Sequence, residues 1–259
     1  MLILLSPAKS LDFETPSIAP KHSQSALLDK SEELIDTLST YSPADLEKLM
    51  GISPSLAELN VERYHQWSRP FNKKNAKPAV LAFQGDVYLG MEAETFSDQD
   101  FAYAQDHLRI LSGLYGVVRP LDLIQAYRLE MGIKLDNPSG KNLYEFWGST
   151  ITEHLNKQLK KLKSDTVLNL ASNEYFKSVK KKELNAEIIS PSFKDWKNGQ
   201  YKMISFFAKK ARGSMTAWII KNQIENIEDL EKFDVDGYRY DAATSTPNKP
   251  SFLRKQSWI

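Results

Sequence analysis

The spacing of apolar residues divides the chain into helical and extended segments. Leu2–Leu5 is a short apolar run that Ser6 and Pro7 end, which predicts a buried strand. Apolar positions recur at helical spacing over residues 25–38. Ser-Pro pairs at 42–43 and 53–54 predict the starts of two more helices, over residues 43–50 and 54–67. Residues 25–68 therefore form a predicted helical sub-region.

The same pattern predicts a mixture of helices and strands in the rest of the chain. Helical spacing covers residues 98–111, 143–162 and 208–220. Extended runs predict strands at 79–83, 87–89, 167–170, 187–193, 201–207, 235–240 and 252–259, with a turn at 197–200. Helices and strands alternate without regular βαβ units. The prediction is an α/β fold, a mixed-sheet single domain spanning residues 1–259.

Composition restricts the classes of function. With 41% hydrophobic and 26% charged residues, the 259-residue chain is typical of a globular protein. It has no Cys, which excludes disulfides, thiolate metal sites and cysteine-ligated iron–sulfur clusters. The apolar run at the start is too short for a signal peptide, and no stretch approaches the ~20 apolar residues that cross a bilayer. These features predict a cytoplasmic protein with no membrane partner.

Charge is segregated although the net charge is only +1. Residues 154–182 and 194–212 are rich in Lys, whereas residues 86–106 and 225–236 are rich in acids. Such segregation can create a basic face on a neutral protein. Solvated helix faces are the alternative interpretation of the same charge runs.

The stretch "LEKLMGISPSLAEL" at residues 46–59 resembles a helix-hairpin-helix motif, which binds DNA without reading its sequence. Gly51 suits a turn with positive φ, and the helix that follows begins with unpaired N–H groups that can hold a phosphate. Ser53 replaces the second glycine that the motif usually has. The predicted phosphate contacts are Gly51, Ile52, Ser53 and Ser55. A plain helical hairpin with a glycine C-cap is the alternative.

Several loops next to predicted strands carry charged residues suited to chemistry. Lys9 and Asp12 follow the first strand, where sheet proteins place ligands. If residues 128–134 form a strand, Arg128, Glu130 and Lys134 lie on one face. The remaining candidates near predicted strand ends or turns are Asp86, Arg119, Asp122, Lys209, Lys210 and Arg212.

No cofactor or metal site is predicted. The four His residues are isolated, and Glu62-x-x-His65 is a single copy of a di-iron half-site that needs two such pairs. Glycine-rich nucleotide motifs, nucleophile elbows and paired-histidine zinc helices are absent from the sequence.

These stretches, taken in order, resemble the YaaA peroxide-stress-resistance family over nearly the whole chain. The likeness rests on "LLSPAKSLDF", "LAFQGDVY", "AETF", "HLRILSGLYGVVRPLDL", "YRLEMG", "FWG", "NLASNEYFKSV", "LNAEII" and "ISFFAKKARG". It implies a cytosolic bacterial protein that helps cells survive hydrogen peroxide, with lower free iron and less damage to DNA. It also implies DNA binding, a basic cleft and an inserted helix-hairpin-helix element. It supplies no agreed reaction.

The leading hypothesis is therefore a protein of the peroxide response that binds double-stranded DNA without sequence preference. Bulged or damaged duplexes are plausible targets because such sites bend cheaply. The hairpin would hold one phosphate, and a basic cleft would follow the strand. The cleft residues are Lys9, Arg119, Arg128, Lys209, Lys210 and Arg212.

Two other functions stay open at this stage, and no obligate protein partner is evident. An enzyme acting on a nucleotide or a damaged base would use Lys9 as nucleophile and carboxylates as general acid and base. The candidate carboxylates are Asp12, Asp86, Asp122 and Glu130. Direct iron sequestration is disfavoured by the absence of Cys and the scattered His residues.

Overall fold

A computed structural model describes residues 1–255. Its ten α-helices are α1 (Leu28–Leu38), α2 (Pro43–Met50), α3 (Pro54–Gln66), α4 (Ala79–Ala82), α5 (Asp86–Met91), α6 (Asp98–His107), α7 (Leu143–Trp147), α8 (Thr150–Leu162), α9 (Asn173–Phe176) and α10 (Ser205–Asn222). Short 3-10 helices cover Ala93–Thr95, Ile227–Lys232, Val235–Gly237 and Ala242–Thr244. No helix within this range is long and apolar enough to cross a bilayer.

Thirteen strands of the described range form two larger sheets and two small ribbons. The strands are β1 (Leu2–Leu5), β2 (Ser10–Leu11), β3 (Lys77–Pro78), β4 (Phe83–Gln84), β5 (Leu108–Ser112), β6 (Gly116–Val118), β7 (Leu123–Ile124), β8 (Thr166–Asn169), β9 (Glu187–Ile189), β10 (Ser192–Lys197), β11 (Gln200–Lys202), β12 (Arg239–Tyr240) and β13 (Ser251–Arg254).

The central sheet has the strand order β6-β5-β1-β8-β9. The last four strands in that order run parallel, and β6 returns antiparallel to β5. Every residue of β1 and β5 is buried, as expected for parallel strands covered on both faces. The second sheet, β11-β10-β13-β12, packs against α10. The mixed α/β prediction is confirmed.

The helices of the 25–68 sub-region agree with the prediction because their caps are local signals. Ser42 accepts a hydrogen bond from the backbone of Asp45, and Ser53 accepts one from Leu56. Gly51 ends α2 in the left-handed conformation, with φ +62°. The sub-region is fastened to the rest of the molecule near the end of α3, where the Trp67 indole donates to the buried Tyr115 hydroxyl at 3.1 Å.

Several predicted strands are helices. Residues 79–82 and 86–91 form α4 and α5 instead, since apolar runs this short do not distinguish a helix from a strand by their period. Residues 201–207 hold only the end of β11 before α10 begins at Ser205. Residues 128–134 contain no strand. The predicted turn at 197–200 is confirmed, with Asn198 and Gly199 at positive φ between β10 and β11.

Other predicted elements have different bounds. The predicted helix 98–111 stops at His107 and continues directly as β5, since its last residues enter the central sheet. The predicted helix 143–162 is two helices, broken at Gly148 with φ +47°. Residues 187–193 contribute to both large sheets as β9 and β10. In the predicted strand 235–240 only residues 239–240 are extended, and residues 256–259 lie outside the described range.

Candidate functional site

A cleft opens at the carboxyl ends of β1 and β8, which are neighbours in the central sheet. The chain leaves β1 to reach β5 on one side, and leaves β8 to reach β9 on the other. Connections that diverge in this way leave a crevice between them, where open α/β sheets bind ligands. The topology therefore makes this edge the candidate ligand site of the central sheet.

The cleft encloses a cavity of about 370 Å³. One wall follows β1 and β8, and the other comes from α5 and α10. Its polar lining consists of Ser6, Lys9, Ser10, Gln84, Asp86, Tyr88, Glu130, Ser172, Glu174, Tyr175, Lys209 and Arg212. The volume is within the range of small-molecule sites.

The two loops of the sheet edge are hydrogen-bonded to each other. The backbone N–H of Ser172 donates to the Ser6 hydroxyl at 2.8 Å, and the two hydroxyls lie 3.3 Å apart. Across the cleft, the Tyr88 hydroxyl donates to the Ser6 carbonyl at 3.0 Å. Glu174 accepts from the backbone of Gly132 at 2.9 Å. These bonds fix the cleft walls before any ligand arrives.

One carboxylate at the base of the cleft holds two cations. Oε1 of Glu130 lies 2.9 Å from Lys9 Nζ and 3.2 Å from Arg128 Nη2. The Lys9 side chain is 65% exposed, whereas those of Glu130 and Arg128 are 12% and 16% exposed. Lys9 therefore reaches from solvent to a pair that is largely buried, and a carboxylate beside an amine can exchange a proton with it.

Two polar atoms of this pair are buried without a hydrogen-bond partner among the described residues. They are Oε2 of Glu130 and Nε of Arg128. An unpaired buried polar atom costs free energy, and proteins keep few of them. A donor to Glu130 and an acceptor for Arg128 are thus the groups that a bound ligand or water would supply.

The opposite wall depends on a close crossing of α5 and α10. A Cβ at Gly90 would lie 2.1 Å from the carbonyl oxygen of Lys210, and one at Gly213 would lie 1.7 Å from that of Val87. The two glycines therefore allow backbone to touch backbone. This contact brings Lys209 Nζ within 3.8 Å of Asp86 at the cleft surface.

The charge of the cleft is mixed. Three cations, Lys9, Lys209 and Arg212, line it together with three carboxylates, Asp86, Glu130 and Glu174. Burial lowers the pKa of the Arg212 guanidinium from its ordinary value, because its charged form loses hydration. The lining combines anion-binding groups with groups that accept protons.

The other predicted site residues lie elsewhere. Asp12 accepts the buried Lys77 ammonium at 3.3 Å in a neighbouring cavity, and hydrogen bonds from Thr15 lower its pKa to about 2. Arg119 pairs with Asp122 at 2.8 Å beside α8. Lys210 faces away from the cleft.

Lys210 lines a separate cavity, where its Nζ lies 3.6 Å from Asp236. Lys134 is exposed and does not line the cleft. Within residues 1–255, no three His, Asp or Glu side chains gather as a metal site.

The turn between α2 and α3 is exposed, and a Cβ at Gly51 would meet open space. Within the described chain, the backbone N–H groups of Ile52, Ser53 and Ser55 have no acceptor. The hydroxyls of Ser53 and Ser55 lie 3.3 Å apart beside them. The turn therefore presents several hydrogen-bond donors at the positive end of the α3 dipole.

Sequence reasoning missed seven polar cleft residues: Ser6, Ser10, Gln84, Tyr88, Ser172, Glu174 and Tyr175. Ser172 is the N-cap of α9, so a cap signal directly after a predicted strand was the available clue. The adjacency of β1 and β8, 160 residues apart in the chain, carries no local signal.

The fold and cleft define a mixed α/β protein with a candidate ligand site at the switch point of its central sheet. A sequence model of a family described as "Peroxide stress protein YaaA" matches residues 1–244. The chain therefore belongs to this family, as its motifs predicted.

Curated relatives match along their full length. A UPF0246 protein of Saccharophagus degradans is 60% identical over 256 residues, covering 99% of this chain and 100% of the relative. UPF0246 proteins of Colwellia psychrerythraea and Teredinibacter turnerae are 57% and 58% identical, with the same coverage of both chains.

Proposed function

We propose that this member of the peroxide stress family binds double-stranded DNA without sequence preference and helps to limit iron-driven oxidative damage. The observation that carries the proposal is the α2–α3 turn, whose backbone N–H groups at 52, 53 and 55 have no acceptor among residues 1–255. Phosphate oxygens are the acceptors that such a turn suits, and phosphates carry no sequence information. The turn is the proposed helix-hairpin-helix element.

The cleft cations form the second part of the proposed DNA surface. Lys9 and Lys209 have exposed side chains, so each can exchange its carboxylate partner for a phosphate. Arg128 and Arg212 are more buried and would act from behind them. Arg119 and Lys210 lie in separate cavities and are left out of this surface.

The test is fluorescence anisotropy with intact, bulged and nicked duplexes at several salt concentrations. Ser55→Glu places a carboxylate at the second position of α3, where it stabilises the helix but repels a phosphate. We expect about a tenfold loss of affinity, comparable to losing one charge-assisted hydrogen bond. Wild-type affinity should fall steeply with salt.

Gln99→Glu is the matched control. Gln99 is exposed at the second position of α6, which is also capped by a serine, so the variant adds the same charge in the same helical setting. It should bind DNA as wild type does. Equal affinity of the Ser55→Glu variant and wild type, or an affinity independent of salt, would contradict the proposal.

A second candidate function is an enzyme acting on a nucleotide or a damaged base, favoured by the unpaired buried oxygen of Glu130 beside Lys9. Glu130 would take the proton that the Lys9 ammonium must lose. The free amine would then add to the aldehyde of an abasic site and release water to give a Schiff base.

Borohydride would reduce that Schiff base to a stable protein–DNA crosslink. Crosslinking of wild type and of Lys209→Met, but not of Lys9→Met, would support the enzyme. Lys209 lines the same cleft, so it controls for the loss of one cation. No crosslink to abasic duplexes and no product from a panel of nucleotides would count against it.

A further inference from the structure

A second cavity of about 310 Å³ lies between α8 and the β5–β6 hairpin. We call it the α8 pocket. Its charged and polar lining consists of Arg109, Arg119, Asp122, His154, Lys157, Gln158 and Lys161. It shares no lining residue with the cleft at β1 and β8.

Two arginines from neighbouring chain segments line this pocket. Arg109 belongs to β5, and Arg119 follows directly after β6, whose first residue pair with β5 is Ile110–Val118. The charge of Arg119 adds to the lowering of the Arg109 pKa, so the two cations repel each other. An anion between them would relieve this repulsion.

Asp122 is the carboxylate that lines the α8 pocket, and it accepts its hydrogen bonds from groups other than Arg109. It accepts from the Arg119 backbone at 2.8 Å, from Arg119 Nε at 3.0 Å and from the Ser23 hydroxyl at 2.7 Å. It is also 97% buried, since only 3% of its side chain is exposed. Asp122 therefore balances Arg119 and leaves the second arginine without a direct partner.

Arg109 is a buried cation without an ion pair among residues 1–255. Only its Nη1 is hydrogen-bonded, to the carbonyls of Gln105 at 2.9 Å and Leu108 at 2.7 Å. Burial lowers the pKa of this guanidinium to about 10; Asp122 opposes the shift and Arg119 adds to it. Nε and Nη2 remain as a pair of donors.

Helix α8 adds basic side chains from the facing side. His154, Lys157 and Lys161 follow one another at spacings of three and four, which places them on one helix face. Lys161 pairs with Asp106 at 2.7 Å, whereas Lys157 forms no ion pair within the described part of the chain. Burial, and then the charge of Lys157, lower the pKa of His154.

We propose that the α8 pocket binds a small anion carrying two or more phosphate groups, such as pyrophosphate or a nucleotide polyphosphate. Arg109 would hold one phosphate through both free nitrogens, in the fork geometry that suits this ligand. Lys157 would hold the next. The proposal is independent of DNA binding by the α2–α3 turn.

The test is isothermal titration calorimetry with pyrophosphate, ATP, sulfate and a short DNA duplex at constant ionic strength. Wild type should bind pyrophosphate or ATP with 1:1 stoichiometry and more tightly than sulfate. Arg109→Gln and Lys157→Gln should each weaken that binding about tenfold, as expected for a charge-assisted bond.

Lys160→Gln is the matched control, because Lys160 is exposed on α8 but does not line the pocket. It should bind as wild type does, and a circular dichroism spectrum checks that Arg109→Gln remains folded. Binding no tighter than that of sulfate, or unchanged binding by Lys157→Gln, would overturn the proposal. If Arg109→Gln and Lys157→Gln weaken only the binding of the DNA duplex, the proposal is also overturned, because the pocket would then bind phosphates of DNA.

Discussion

At the scale of the residue, Glu130 shows how one side chain links stability to possible chemistry. One of its oxygens receives Lys9 and Arg128, and the other is buried without a partner in the described structure. The two cations differ in exposure, so they differ in what they contribute. Arg128 depends on Glu130 for its charge balance, whereas Lys9 is mostly hydrated.

Glu130→Gln should destabilise the protein by about 3 kcal/mol, because removing one partner strands a buried charge. Lys9→Met should cost less than about 1 kcal/mol, since an exposed ion pair contributes little. Urea denaturation followed by circular dichroism measures both. Equal losses in the two variants would show that the Glu130–Arg128 pair is not the stabilising contact.

At the scale of the element, the crossing of α5 and α10 is the contact that forms one wall of the cleft. It depends on Gly90 and Gly213, where a side chain would collide with the backbone of the other helix. Glycine in a helix interior normally weakens the helix. Its presence in the middle of α10 is explained by the close approach that it allows.

Gly213→Ala should therefore destabilise the protein by about 2 kcal/mol, as overpacking does. The sign is diagnostic, because the same change in a solvent-exposed helix would stabilise it by about 1 kcal/mol. Thermal unfolding at neutral pH gives the comparison. A more stable variant would mean that the crossing is looser than described.

Some elements could be predicted from the sequence and others could not. Helices α2, α3 and α6 start where the sequence predicts because Ser42, Ser53 and Ser97 are caps that act on adjacent residues. The strand predictions for residues 79–82 and 87–89 were wrong because apolar runs this short do not distinguish a helix from a strand by their period.

The cleft residues likewise divide into those with a local sequence signal and those without one. Lys9, Asp86, Lys209 and Arg212 stood out as charged residues near predicted strand ends or turns, and Glu130 stood out through its alternation with Arg128; the structure brings all but Arg128 together in the cleft lining. Ser172 and Glu174 did not, because their proximity to Lys9 comes from the pairing of β1 with β8. Long-range strand pairing is the information that local patterns lack.

At the scale of the whole molecule, two partly buried histidines make stability depend on pH near neutrality. His107 stacks on Tyr103 with ring centroids 4.1 Å apart, and Nδ1 lies 3.0 Å from the Met1 carbonyl. Burial lowers its pKa below the ordinary value of 6.5, although the Met1 carbonyl opposes the shift. His154 is shifted in the same direction by burial and by Lys157.

Because both folded-state pKa values are lowered, the unfolded chain binds more protons below pH 6.5, and stability should fall as the pH decreases from there. The decrease should level off below the folded-state pKa values. Replacing both residues with Gln should flatten the change in melting temperature between pH 7.5 and about pH 5.5. Buffers without phosphate avoid occupying the α8 pocket, and an unchanged pH profile would contradict this account.

The backbone contact between α5 and α10 also bears on how quickly a ligand can enter the cleft. No side chain separates the two helices at Gly90 and Gly213, so no rotamer change can let one slide past the other. We therefore expect the wall to move as one body, with the exposed side chains of Lys9 and Lys209 as the parts that rearrange. Side chains reorient within nanoseconds. Association should therefore be a single fast step, limited by diffusion and charge rather than by slow opening of the protein.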